Sequence, residues 1–159
     1  MSDNKEELYL RILDQFPNPI WRSGIDAKCD YFNKAWLRFT GRTIEQEMGD
    51  GWAEGVHPDD LKFCVDTYMK SFKDRKPFEM EYRLKHNDGT YHWILDSGSP
   101  FFSDAGDFLG YIGSCSDINE QKNHLGEVEK LNATMVGREL KMVEMKKQIG
   151  ELESKLFGK

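Results

Sequence analysis

The residues best suited to chemistry in this chain include three cysteines, whose spacing gives no sign of a redox or zinc motif. Cys29, Cys64 and Cys115 form no C-x-x-C pair and match no zinc-ligand spacing. Cysteines that lie far apart and are odd in number do not favour a disulfide framework. We therefore expect all three to be reduced thiols in the protein core.

The histidines do not predict a metal site either. His57 with Asp59 and Asp60, in the segment "HPDD", has the residue types of a metal site. The same segment stands at the start of a predicted helix, where capping and the preference for negative charge explain these residues. His86 and His92 flank a hairpin turn and are predicted to be surface residues. The sequence therefore predicts no metal centre.

Motifs for catalysis are lacking as well. The sequence has no Gly-rich phosphate loop and nothing like the acidic loop of a cyclic-dinucleotide cyclase. His124 is followed by Leu-Gly-Glu, which is not the context of a phosphoacceptor histidine, so we expect a solvated histidine on a helix. The chain is predicted not to be an enzyme, and no catalytic residue is assigned.

The net charge of −6 is carried by residues 1–120, while the segment after them is weakly basic. An acidic body would be repelled by phosphates, which argues against nucleic-acid binding. No apolar run approaches the roughly 20 residues needed to span a bilayer. The N-terminal residues also lack the features of a signal peptide. The sequence therefore predicts a cytoplasmic protein with no membrane span.

The pattern of apolar residues divides the chain into three segments that must position these side chains. Residues 1–16 contain a short amphipathic helix with Leu8 and Ile12 on one side, ended by the prolines of "FPNP". Residues 17–118 contain two short strands, then helices, then further strands. Residues 119–159 follow one long helical pattern.

The later strands of the middle segment are the clearest. Phe78–Lys85 alternates strictly between apolar and charged residues, which is typical of a half-buried antiparallel strand. "HNDGT" predicts a hairpin turn and "SDAGDF" a second tight turn, so these strands form a meander. With the two early strands, the pattern predicts an α+β domain: a five-stranded antiparallel sheet with helices on one face.

The last segment repeats apolar residues every seven positions over about four heptads, which predicts a coiled coil. The alternative is a single helix packed on its own domain. A helix of this length would extend well past so small a domain, and a partner helix is needed to cover the apolar stripe. We expect a parallel homodimer. Its predicted seam, interrupted by Arg138, is Val128, Leu131, Met135, Met142, Met145, Ile149, Leu152 and Leu156.

Two stretches of the chain resemble the PAS sensory domain family in its PAS/PAC form. "GRTIEQEMGDGWAEGVHPDD" resembles the family's glycine after a short helix, then a tryptophan and a His-Pro-Asp-Asp leading into a long helix. "YRLKHNDGTYHWILDSGSPFFSDAGDFLGYIGSCSDINEQK" resembles the PAC half, from its Asp-Gly turn to its terminal Asp-Ile-Thr-Glu-Arg-like signature. The resemblance covers about residues 7–122. The tail is similar to linkers that follow PAS domains in bacterial sensor histidine kinases.

The resemblance implies a cytosolic sensor or interaction module, often dimeric, with a pocket between the long helix and the sheet. Flavin-binding members carry a motif around a reactive cysteine that this chain lacks. Haem-binding members usually place a histidine on the long helix, where this chain has none. Flavin and haem are therefore disfavoured, and any small-molecule ligand is left open. The predicted pocket residues, which could instead simply fill the core, are Trp36, Phe39, Cys64, Tyr68, Tyr82 and Trp93.

The junction between the last strand and the last helix carries the terminal signature, with Asn119 where the family usually has threonine. Asp117 is predicted to cap the helix, with Glu120 as its reciprocal partner, and Ile118 to anchor it to the domain. These four are the predicted signal-coupling residues. We expect a module that couples a ligand or partner to a dimeric output helix within a two-component system, acting on a histidine kinase or another output domain. The alternative is a ligand-free PAS dimerisation scaffold.

Overall fold

The computed structural model describes residues 2–158, with side chains from residue 7 onward. Met1 and Lys159, the outermost residues of the predicted first and last segments, lie outside the described residues. A short 3-10 helix, Gly51–Gly55, precedes the fourth α-helix. The other elements, in chain order, are α1 (Ser2–Gln15), β1 (Ile20–Ser23), β2 (Cys29–Phe32), α2 (Lys34–Thr40), α3 (Ile44–Glu47), α4 (Pro58–Asp74), β3 (Phe78–Lys85), β4 (Tyr91–Phe102), β5 (Phe108–Asp117) and α5 (Asn119–Phe157).

The five strands form one antiparallel sheet in the order β2-β1-β5-β4-β3. β3, β4 and β5 are the predicted meander, and β5 also pairs with β1, so it lies in the middle of the sheet. This confirms the predicted α+β fold with a five-stranded antiparallel sheet and helices. The predicted long C-terminal helix follows β5 directly.

The main core is formed by the inward face of the sheet and one side of α4. Every second residue of β3, from Phe78 to Leu84, is buried, as its alternating sequence predicts. The buried side of α4 consists of Cys64, Tyr68 and Phe72, at spacings that place them on one helical face. Together with the other core residues they form one continuous hydrophobic cluster.

The polar residues at the start of α4 divide capping and strand contacts between them. His57, and not an aspartate, is the N-cap, and its Nδ1 accepts a hydrogen bond from the backbone N–H of Asp59 at 3.2 Å. Asp60 instead accepts two side-chain hydrogen bonds from Arg83, at 2.8 and 2.7 Å. A bidentate pair with arginine satisfies both carboxylate oxygens, so Asp60 ties α4 to β3.

α1 is helical as predicted, but its apolar side is left largely uncovered. The side chains of Leu8 and Ile12 are 54% and 53% exposed. The end of the helix is held by polar contacts: Tyr31 donates its hydroxyl hydrogen to Asp14 at 3.0 Å, and Asn33 donates to the carbonyl of Leu13 at 3.0 Å. The helix is therefore attached at its C-terminal end.

The chain divides into two compact units between Asn119 and Glu120. α5 contains 39 residues and is therefore about 58 Å long at 1.5 Å per residue. None of its residues is buried, so its apolar side chains all lie on the helix surface. The part of the chain that the structure describes contains no helix that is both long and apolar enough to cross a membrane.

Candidate functional site

A small cavity lies inside the core, between α4, α2 and the sheet. Its volume is about 20 Å³, which is space for about one water molecule. Its walls are almost entirely apolar and aromatic, with one carboxylate. The lining residues are Trp21, Cys29, Phe32, Trp36, Trp52, Tyr68, Phe78, Met80, Tyr82 and Asp96.

Three of the six predicted pocket residues, Trp36, Tyr68 and Tyr82, line this cavity. The other three lie elsewhere among the described residues. Cys64 is fully buried within the core cluster. Phe39 packs edge-on against the ring of His86, with 4.9 Å between ring centroids.

The prediction for Trp93 is corrected by the alternation of side chains along β4. Ile94 and Asp96 point inward and are buried, so Trp93, one position away, lies on the opposite face of the sheet. There it stands beside Arg83 on β3, whose guanidinium carbon is 5.3 Å from the centroid of the indole ring. Trp93 therefore belongs to the outer face and not to the cavity.

The polar centre of the cavity is Asp96, which is not among the predicted pocket residues. Its side chain is buried, and its carboxylate accepts hydrogen bonds from Trp21 Nε1 at 2.9 Å and from the Tyr82 hydroxyl at 3.2 Å. Burial raises the pKa of Asp96 to about 6, although the hydrogen bonds from Trp21, Cys115 and Tyr82 act in the opposite direction. An acid in a site of this kind is able to change its protonation state near neutral pH.

The three thiols are all buried and free, as expected for core residues. Burial raises the pKa of Cys29 and Cys115 well above the ordinary value, and the negative charge of Asp96 acts in the same direction. The pKa of Cys64 rises to about 12 for the same main reason. Because only a thiolate is strongly nucleophilic, these cysteines are suited to packing and not to covalent chemistry.

A second buried carboxylate, that of Glu47, binds a side chain of the cavity wall. Glu47 on α3 is 1% exposed and accepts a hydrogen bond from Trp36 Nε1 at 2.9 Å. Arg42 lies beside it, with Nε 2.5 Å from Glu47 Oε1. Desolvation raises the pKa of Glu47, and the Trp36 and Arg42 contacts partly offset that effect. Trp36 is thereby fixed in the cavity wall.

The predicted coupling residues lie together where β5 ends and α5 begins. The carboxylate of Asp117 accepts a hydrogen bond from the backbone N–H of Asn119 at 2.9 Å. Ile118 is half-buried, and its N–H donates to the carbonyl of Trp93 at 2.9 Å. The Asn119 side chain accepts from the N–H of Trp93 at 3.3 Å. Glu120 is exposed.

These contacts define a junction, formed by Asp117, Ile118 and Asn119, that ties the start of α5 to the backbone of β4 at Trp93. The cavity and the junction share two neighbouring strands. Asp96 on β4 is paired with Cys115 on β5, which lies two residues before Asp117. Ile94 is paired with Asp117 itself. The buried acid therefore lies two positions along the β4–β5 ladder from Asp117, the last residue of β5.

Residues 30–115, more than half of the chain, match the model of the PAS fold family. The chain therefore belongs to the PAS fold family. It is a PAS sensory domain that resembles the input regions of histidine kinases.

Two curated relatives show how far this likeness extends. The uncharacterized protein y4lL of Sinorhizobium fredii is 41% identical over 128 residues, which are 80% of this chain and 15% of that protein. The peroxide stress-activated histidine kinase mak1 of Schizosaccharomyces pombe is 25% identical over 126 residues, which are 74% of this chain and 8% of that protein. The chain thus spans only a small part of the length of these relatives.

Among solved structures, the N-terminal domain of a diguanylate cyclase with PAS/PAC sensor from Marinobacter aquaeolei has the same fold. It matches with a TM-score of 0.59 at 24% identity, and the match covers 66% of this chain and 98% of that chain. The diguanylate cyclase activity named for that protein is not carried over, since a likeness at this identity concerns the fold alone.

Proposed function

We propose that this chain is a signal-transducing module in which the state of the core cavity is coupled through β5 to a dimeric output helix, α5. The observation that carries the proposal is the junction: α5 begins two residues after the end of β5 and is tied to β4 by two hydrogen bonds with the backbone of Trp93. A third hydrogen bond, from the N–H of Asn119 to Asp117, fixes the first residue of the helix to the end of β5. A connection this short and this well bonded would transmit a shift of the strand to the helix.

The route from the cavity to the junction consists of contacts between neighbours. Asp96 is hydrogen-bonded to Tyr82 in the cavity wall and to the Cys115 thiol on β5. A change in the charge of Asp96, or a ligand that takes over its hydrogen bonds, would alter the position of β5 near Cys115. The size of any such shift is limited by the difference between the affinities of the two arrangements for the ligand or proton.

The exposed apolar stripe of α5 supports the same proposal. The predicted seam residues of α5 are between 53% and 75% exposed. A long helix with a heptad stripe is stable when a partner covers that stripe. We infer a parallel pair formed by a second copy of this chain, since the repeat is continuous apart from Arg138 and needs no other sequence to complete it.

The proposal also covers the domain that receives the signal and the compartment in which the protein acts. A histidine kinase or another output domain would act downstream of α5, as suggested by the kinases among the relatives. The domain itself would sense and not catalyse. Three free, buried thiols support a reducing, cytoplasmic setting.

The coupling is tested by a double-mutant cycle of Asp96→Asn and Asp117→Ala, read by hydrogen exchange at the first turn of α5. Asp117→Ala removes the hydrogen bond to Asn119 and should lower protection there. Asp96→Asn, inside the cavity, should change the same amides, and the two effects should be non-additive by at least about 0.5 kcal/mol.

The matched control is Ser97→Ala, the next residue on β4, which points to the outer face. It should leave the exchange of the α5 amides unchanged. If Asp96→Asn has no effect at the helix start, or if Ser97→Ala has the same effect, the coupling proposal is wrong.

A ligand-free dimerisation scaffold is the second candidate, and the cavity size favours it. A cavity of about 20 Å³ is far smaller than the roughly 300–1,000 Å³ of typical ligand sites. Native mass spectrometry and a visible spectrum of the purified protein separate the two functions. A bound small molecule or chromophore supports sensing by ligand. Its absence, together with additive behaviour in the cycle above, supports the scaffold.

A further inference from the structure

Two histidines and one aspartate meet at the turn between β3 and β4, away from the core cavity. His86 follows the last residue of β3, Asp88 lies in the turn and His92 is in β4. One potential ligand atom from each residue lies within 4.8 Å of the others. His86 and His92 were expected to be surface residues, but their side chains are only 24% and 19% exposed. This set is called the hairpin cluster below.

The carboxylate of Asp88 is oriented with one oxygen toward the two imidazoles. Its Oδ1 accepts hydrogen bonds from the N–H and the hydroxyl of Thr90, at 2.8 and 2.7 Å. These bonds lower the pKa of Asp88 to about 2, so the group is an anion at neutral pH. Its Oδ2 lies 3.2 Å from His86 Nδ1 and 3.7 Å from His92 Nε2.

The two imidazole rings are held side by side. They are stacked nearly parallel, with 4.3 Å between centroids and 10° between planes. Phe39 packs edge-on against both rings, at 4.9 and 5.9 Å. These contacts hold the two rings next to each other, but the lone pairs of parallel rings lie in parallel planes, so the rings must tilt before both nitrogens bind one ion.

His92 also has the partner that metal-binding histidines usually have. Its Nδ1 lies 2.9 Å from Asp117 Oδ2. A carboxylate accepts a hydrogen there, so Nδ1 carries the proton and Nε2 keeps its lone pair, which faces Asp88. A carboxylate behind the ligating histidine fixes the ring and makes it a better ligand.

We propose that the hairpin cluster binds one divalent transition-metal ion of the zinc class through His86 Nδ1, Asp88 Oδ2 and His92 Nε2. Imidazole nitrogens with one carboxylate suit zinc, nickel, cobalt or copper, whereas magnesium and calcium prefer oxygen ligands. Binding would tilt the two imidazoles out of their stacked arrangement and bring the donors to zinc distances of about 2.0–2.2 Å, with the fourth position open to water. Asp117 is a positioning residue for His92, and the site does not depend on the proposed function.

The test is a titration of the full chain with Zn²⁺ against a chromophoric chelator, under reducing conditions, and an absorption spectrum with Co²⁺. We expect one ion per chain and a Co²⁺ spectrum without the charge-transfer band of a thiolate ligand. His86→Gln and His92→Gln should each weaken binding by at least about 100-fold. Asp117→Asn, which keeps every ligand, should weaken it by about 10–100-fold. Mg²⁺ should not compete.

The matched control is His124→Gln, which removes an exposed histidine flanked by glutamates on α5. It should leave the affinity unchanged. Circular dichroism of the metal-free variants checks that each remains folded. The proposal is overturned if the wild type takes up no stoichiometric Zn²⁺, if the His86→Gln/His92→Gln double variant binds as tightly as the wild type, or if the loss follows His124→Gln instead.

Discussion

At the scale of single residues, the feature with the largest physical consequence is a carboxylic acid in an apolar core. Asp96 is 3% exposed and has three hydrogen-bond donors around it, yet desolvation still raises its pKa. The folded state therefore binds the proton of Asp96 more tightly than the unfolded chain does. Asp96 is thus the side chain in the core cavity whose protonation state can respond to a change in pH near neutrality.

Asp96 should make the stability of the domain fall as the pH rises from about 4 to about 6. Its pKa is about 6 in the folded state, against the ordinary value of 3.8, so the folded state holds the proton more tightly. The contribution is fully present below pH 3.8 and is lost as the pH rises through 6. Two pKa units correspond to about 3 kcal/mol.

Urea unfolding of the wild type and of Asp96→Asn, compared between pH 4 and pH 7, measures this contribution. The free energy of unfolding of the wild type, relative to the variant, should decrease by up to about 3 kcal/mol over that range. Asp104→Asn, in the exposed turn before β5, should track the wild type at every pH. Parallel pH curves for wild type and Asp96→Asn would show that Asp96 is not the buried acid described here.

The inward position of Asp96 can be predicted from the sequence, whereas other features of the site cannot. The alternation along β4 places Asp96 on the same face as Ile94, so counting from that buried residue would have found the acid and excluded Trp93. The capping histidine at position 57 and the stacking of His86 on His92 could not be predicted in that way. The first depends on the rotamer that lets His57 Nδ1 accept from the N–H of Asp59, and the second on Phe39, which reaches the two rings only once α2 is packed beside the hairpin.

At the scale of elements, strands and helices follow directly from local sequence patterns, because burial on one face imposes a period. The strict alternation of Phe78–Lys85 predicted β3, and the seven-residue repeat predicted α5. Close approaches between elements are not visible in such patterns. A Cβ on Gly113 of β5, for example, would lie 2.4 Å from the Trp21 ring, so this glycine is required by its neighbour on β1.

Arg138 is the one seam position of α5 where a leucine should improve pairing. In a parallel pair, two copies of Arg138 face each other, and both charges must reach water. Arg138→Leu should stabilise the dimer by about 1.5–3 kcal/mol per chain, the value of burying one leucine side chain. Thermal unfolding at equal protein concentration measures the change, since dimer stability depends on concentration.

The control for this change is Lys147→Leu, which makes a similar substitution on the side of α5 away from the seam. It should change stability by no more than about 0.5 kcal/mol. Equal effects of the two substitutions would mean that the heptad stripe is not where the helices meet.

At the scale of the whole molecule, the chain combines a PAS sensory domain with a long helix that exposes its apolar side chains. The family and fold follow from the motifs and the sheet, whereas the signal, the output domain and the pairing remain proposals. The relatives differ greatly in length from this chain, so they indicate the setting of such a domain and not its ligand.

Pairing of α5 as a dimeric output helix is measured most directly by the mass of the full chain, determined by light scattering over a dilution series. We expect a mass twice that of the 18.5 kDa chain. We expect a single-chain mass for a variant with Met142→Lys and Ile149→Lys, which places charges at two seam positions. A wild type that keeps the single-chain mass at every concentration, or a seam variant that remains dimeric, would show that α5 does not pair through this seam.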